Sequence, residues 1–374
     1  MRRNSLFKST KALRGRGFDP ALDQRGCSPP LETPQYCSRL KRRGLPLNKR
    51  FSRLSFAAAV ALSLYALPAW GADPLRIGYG APTVTMAPLW IAQEGKLFPR
   101  NGLEVEVLYL ESALVQRALI AGEIQFGEMT GALLSAPRLQ GADVVMVLGF
   151  VDRLLFRLVT RPEIKSATDL KGKRIGTSRY GAALDRALRL LLPRLGINPD
   201  KEAVFVQIGS EATLFTALLG KVVDATLLQP PRYKKAVEAG MNVLANLEEM
   251  NIPFQHTGLV TTQRFVGKNQ EISRRVVKSL VDAIHLMRTN PEIAKKAINR
   301  HMRLNDEREL EETYQLLKRV ALIKPYPTLD GIKTILNDLA DQIPAARTAD
   351  PKAFVDTRLL EELDKSGYID RLYR

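Results

Sequence analysis

Cysteine is absent from most of this 374-residue chain: its two cysteines, Cys27 and Cys37, both lie near the start. Residues 72–374 therefore offer no structural disulfide, no thiolate nucleophile, no cysteine-ligated zinc or iron–sulfur site and no cysteine for a lipid anchor. Histidine is nearly as scarce. His256, His285 and His301 are too far apart to form a local metal-ligand pair, so they are expected in structural or solvent-facing roles. Neither a Gly-Lys-Ser/Thr phosphate loop nor a GxGxxG turn after a strand is present, and no cofactor or metal is expected. An uncharged apolar run, Leu54 to Leu67, is shorter than the about 20 residues a membrane-spanning helix needs.

That run has another meaning. Lys49, Arg50 and Arg53 precede it, Pro68 breaks it, and the small residues Ala69 and Gly71 follow, the pattern of a secretory signal peptide over 49–71 cut before Ala72. Residues 1–48 lack apolar periodicity and read either as a non-structural leader or as a misassigned start. Export without an anchor predicts a periplasmic protein. The formal charge of +17 belongs mostly to this leader: residues 1–53 hold 14 Lys+Arg against 3 Asp+Glu, leaving 42 and 36, a net of +6, for the rest. No basic, aromatic-interleaved motif follows, so no nucleic-acid partner is expected.

From Leu75 onward, short runs rich in Val, Ile, Leu and Phe alternate with amphipathic ones. LRIGYG, LEVEVLYL, IQFGEMT, DVVMVLGF, RLVT, RIGTS, AVFVQIG, DATLLQP and VLANL read as strands, and segments such as PLWIAQEGKLFPRNG and GAALDRALRLLLPRLG as helices. This βαβ grammar predicts mainly parallel sheets flanked by helices. After about Val266 the pattern is helical alone, with acidic residues leading several helices.

The opening unit GYGAPTVTMAPLWIAQEGKLFPRNGLEVEV, then Glu111–Gly131, Ile164–Asp185, Val206–Pro231 and Thr257–Val266, taken in that order, resembles the periplasmic binding proteins of ABC transporters in the nitrate/sulfonate/taurine group, which includes pyrimidine-precursor binders. The resemblance implies a two-lobed, type II periplasmic-binding-protein fold, 72–158 plus 259–374 forming one lobe with C-terminal helices and 159–258 the other. It also implies a monomer that passes a small, anionic or zwitterionic organic ligand to an inner-membrane permease and its ATPase. The lobes are expected to be crossed near Arg157–Arg161 and Phe254–Thr261. The alternative is an enzyme on the same fold. Desulfinases and fungal pyrimidine synthases of that kind use cysteines that residues 72–374 do not have.

In open α/β sheets, ligands sit beyond the carboxyl ends of strands. That rule names Tyr79, Thr83, Thr85 and Met86 after LRIG, Glu111 and Ser112 after LEVEVLYL, and Glu128, Met129 and Thr130 after IQFG. In the second lobe it names Thr177, Ser178, Arg179 and Tyr180 after KRIG, Ser210 and Glu211 after VQIG, and Gln229 after DATLL. Thr177–Gly181 is the most pointed segment. There Ser178 and Arg179 either grip an anionic group at a helix start or merely cap the helix and face solvent. Trp90 has the spacing of a packing residue, and Pro230-Pro231 that of a helix start.

Overall fold

The computed structural model describes residues 74–374; the leader and signal-peptide expectations fall outside the described residues. The strands run β1 (Leu75–Tyr79), β2 (Val105–Tyr109), β3 (Phe126–Met129), β4 (Val144–Arg153), β5 (Arg157–Thr160), β6 (Arg174–Thr177), β7 (Val204–Gln207), β8 (Ala225–Leu228), β9 (Asn242–Asn246) and β10 (Pro253–Thr262). They form two five-stranded sheets, β2-β1-β3-β10-β4 and β7-β6-β8-β5-β9.

Both sheets are mixed rather than mainly parallel. The β1 strand pairs in parallel with β2 and β3, and β6 with β7 and β8, because a crossover joins each of these strands to the next. The strands that enter from the other sheet run antiparallel: β10 against β3 and β4, β5 against β8 and β9. The chain changes sheet twice, between Arg153 and Arg157 and between Asn246 and Pro253. Residues 253–258, expected in the second lobe, thus belong to a strand of the first sheet, and Arg157 to a strand of the second.

The helices used below are α1 (Ala87–Glu94), α2 (Ser112–Ala121), α3 (Gly131–Leu139), α4 (Ala183–Arg194), α5 (Glu211–Leu219), α6 (Arg232–Glu238), α7 (Gln270–Thr289), α8 (Pro291–Met302), α9 (Glu307–Val320) and α10 (Leu329–Leu339). Helical spacing in α7 buries Val276, Val277, Leu280, Val281, Ile284 and Met287 on one face. It packs with α8 against α1, where Trp90 is fully buried as its spacing predicts. Asp306 caps α9, whose first turn holds Glu307 and Glu309 and whose last holds Lys318 and Arg319, the charge order a helix dipole favours. One apolar cluster fills the back of the first sheet beneath α1 and α7. A second runs from α2 and α3 through the second lobe and takes in Ile332, Ile335 and Leu336 of α10. That continuity brings the strand ends of the two sheets face to face.

Candidate functional site

The carboxyl ends of β1, β2 and β3 face those of β6, β7 and β8 across a cleft of about 480 Å³. Of the residues named from sequence, Thr83, Thr85, Met86, Glu111, Ser112 and Thr130 line it from the first lobe, and Ser178, Arg179, Ser210, Glu211 and Gln229 from the second. The loop after β1 approaches α2 closely: the Ser112 hydroxyl donates to the Gly80 carbonyl at 2.9 Å, and a Cβ on Gly80 would sit 2.7 Å from that hydroxyl. Glycine is required there by contact.

Most of the lining hydroxyls already have structural work. Thr130 caps α3 by accepting from the Leu133 amide at 3.3 Å, Ser210 caps α5 by accepting from Thr213 at 3.2 Å, and Thr83 and Thr85 bond each other at 3.1 Å. Ser178 caps nothing. The chain runs on through Gly181, whose amide donates to Asp185 at 2.9 Å, and α4 begins only after Ala182, with no side-chain cap.

Five of the named site residues lie elsewhere. The Tyr79 ring packs edge-on to Trp90, and its hydroxyl meets His301 Nδ1 at 3.0 Å on the back of the first sheet. Met129 is buried in the core, and Thr177 is fully buried with no partner for its hydroxyl. Tyr180 turns outward, 57% exposed, its amide on Gln207 and its hydroxyl on the Phe205 carbonyl. Glu128 is also fully buried, with neither carboxyl oxygen partnered, and burial pushes its carboxyl well above the ordinary range. Position after a strand selects the right end of the sheet. It does not select the face, since successive side chains point to opposite sides.

Sequence reasoning missed Tyr109, Phe156, Arg232, His256 and Thr257, all of which line the cleft. Arg232 follows Gln229-Pro230-Pro231 at the start of α6, so the strand-end rule extended three residues would have found it. Phe156 sits at the first sheet change and His256 at the register shift in β10, where no periodicity indicates a face.

The charges are arranged in pairs and singles. Arg179 forms an ion pair with Glu111 across the cleft mouth, both about half exposed. Arg232 has no carboxylate within ion-pair distance among the described residues. The Glu211 carboxylate accepts from the Gln229 amide at 2.7 Å; burial pushes it up to about 7, opposed by the nearby Arg232 charge. Burial pushes His256 down to about 4, and its Nδ1 lies 3.0 Å from the Arg153 carbonyl.

Two α/β lobes with a ligand-sized cleft between their strand ends define the type II periplasmic-binding-protein fold. The periplasmic aliphatic sulphonate binding protein SsuA from Escherichia coli superposes with a TM-score of 0.62 at 19% identity, covering 77% of this chain and 99% of that one. Residues 83–294, more than half of the chain, match the NMT1/THI5-like family, and the chain belongs to that family. Two sequence relatives are a protein of Brucella abortus (strain 2308) named as a binding protein, 28% identical over 243 residues (63% of this chain, 74% of the relative), and a protein of Brachyspira hyodysenteriae named as an ABC transporter periplasmic binding protein, 24% identical over 270 residues (68% and 76%).

Proposed function

We propose that the chain is the solute receptor of an ABC importer: a periplasmic protein that closes two lobes around a small anionic or zwitterionic organic molecule and hands it to a membrane permease. One observation carries this reading. The cleft is enclosed by strand ends of both sheets, and its volume of about 480 Å³ suits a small organic ligand. The lobes proposed are 74–153 with 253–374, and 157–246, hinged at the two sheet changes. The names of the Brucella and Brachyspira relatives support the same assignment. An enzyme working through cysteine chemistry has no cysteine in residues 72–374 to use.

For an anionic group the cleft offers Arg232 before Arg179, since Arg179 already faces Glu111. Arg232→Ala is expected to weaken an anionic ligand by about 1.5–3 kcal/mol, the range for hydrogen bonds to charged groups. Arg179→Ala, which removes a half-exposed ion pair, is expected to cost about 0–1 kcal/mol. A thermal-shift screen of sulfonates, carboxylates, pyrimidines and amines, followed by solution scattering on the hits, tests the receptor reading. A cognate ligand at a hundredfold excess over its Kd should stabilise the protein by about 2.7 kcal/mol and compact it. Stabilisation without compaction would describe a binder that is not a clamp.

A further inference from the structure

His256 and Thr257 are consecutive residues of β10, yet both line the cleft. In a regular strand they would face opposite sides. The pairing of β10 with β4 shifts register between Pro253 and Thr257, and such an irregularity re-aims side chains. The His256 ring thereby reaches the cleft floor beside Phe156, ring centres 5.5 Å apart, and it is 3% exposed.

Its chemistry there is fixed by its one protein partner. The Arg153 oxygen is a backbone carbonyl and can only accept, so Nδ1 carries the proton and donates at 3.0 Å. In the neutral ring Nε2 is then a bare acceptor, and it has no hydrogen-bond partner among the described residues. A further acceptor stands nearby in the second lobe's wall: the side-chain oxygen of Gln229 is buried without a partner. Buried acceptors left unpaired penalise a ligand that brings no donor.

We propose that His256 is a fixed hydrogen-bond acceptor for the bound solute and that, with Gln229, it restricts the cleft to solutes carrying N–H or O–H donors. This rests on the receptor reading and narrows it: a plain anion is disfavoured, and a zwitterion, or an anion bearing an amine or hydroxyl, is selected.

The test has two arms. In the first, nitrogen NMR of ligand-free protein labelled in histidine should show His256 at pH 7 with Nε2 unprotonated and Nδ1 protonated; a protonated Nε2 overturns the proposal outright. In the second, calorimetry compares matched probes that differ only in a donor, taurine against ethanesulfonate and sulfanilate against benzenesulfonate. The donor-bearing member should bind more tightly. His256→Asn, which keeps an N–H for the Arg153 carbonyl but removes the cleft-facing acceptor, should weaken that member about threefold to tenfold and leave its partner unchanged. His256→Gln, which restores an acceptor at the ε position, should recover part of the loss. Equal binding within each pair, failure of both donor-bearing members to bind, or indifference to His256→Asn overturns the proposal. Donor-free probes that compact the protein in scattering would do so while leaving the receptor reading standing.

Discussion

Glu128, Glu211 and His256 are ionisable side chains whose neutral forms the interior favours, and they tilt stability in opposite directions with pH. Burial pushes Glu128 well above the ordinary 4.5 and Glu211 to about 7, so both hold protons in the folded state that they release on unfolding. The stability they allow is fully present below pH 4.5 and is lost as pH rises, through about 7 for Glu211. His256, pushed from 6.5 to about 4, has the reverse sign: its contribution is present above pH 6.5 and lost as pH falls through about 4. Between pH 4.5 and 6.5 His256 and Glu211 oppose each other, while Glu128 adds a loss of stability with rising pH. Glu128→Gln should therefore match the parent protein near pH 4 and exceed it as pH rises, by at most about 1.4 kcal/mol per pH unit, in urea denaturation. A difference that does not change with pH would show that Glu128 is ionised in the folded protein. None of this was legible in the sequence, where Glu128 and Glu211 are equally acidic residues at strand ends and His256 an isolated histidine. What separates them is the face of the sheet and the register shift in β10, which arise only when the two sheets meet.

At the scale of elements, the sequence was far more readable. Every strand from β1 to β9 overlaps a short run rich in Val, Ile, Leu or Phe, because the apolar character that buries a strand is written locally. The exception is β10, whose central Phe254–Thr261 has the pattern of a crossing rather than a strand: Gln255, His256 and Thr257 interrupt its apolar run, although all three are buried. Gln255 shows how such residues are accommodated. Its side chain donates to the Thr257 carbonyl at 2.9 Å and accepts from the Thr328 amide at 2.7 Å, tying β10 to the start of α10. Of the hydroxyls at strand ends, Thr130 and Ser210 are helix caps as well as cleft residues. Ser210→Ala and Thr130→Ala should each lower the stability of the unliganded protein by about 1 kcal/mol. Ser178→Ala should leave it unchanged, because α4 starts after Ala182 and takes no cap from Ser178. Chemical denaturation of the three variants checks this, and a loss at Ser178 equal to that at Ser210 would contradict the described start of α4.

At the scale of the whole molecule, the question is what holds the lobes together across the cleft. The Arg179–Glu111 pair at the mouth is half exposed and contributes little, about 0–1 kcal/mol, and less at high salt. Lys234–Glu312 and Lys235–Glu309 join α6 to α9 at 2.6 and 2.8 Å, with both lysines about half exposed. The pair with consequences is Arg186–Asp338, between α4 and α10 at 3.1 Å, each side chain no more than 10% exposed, with Arg186 also donating to Gln342 at 3.0 Å. Removing one partner of a buried ion pair typically destabilises by about 3–5 kcal/mol, because the other charge is stranded. Here the stranded charge has an escape short of unfolding: opening the lobes would return Asp338 to water. Arg186→Met should accordingly raise the radius of gyration of the ligand-free protein and weaken ligand binding in proportion to the closed fraction lost. Its denaturation midpoint should fall by less than a buried ion pair alone implies. Burial already pushes the Asp338 carboxyl upward and Arg186 holds it back, so without Arg186 acidification should neutralise Asp338 and restore compaction. Adding Asp338→Leu to Arg186→Met should restore it at neutral pH, since two apolar side chains can stay buried together. If scattering finds Arg186→Met as compact as the parent at pH 7, the lobes are held by the shared apolar contacts of α3, α4 and α10, and the ion pair only tunes their fit.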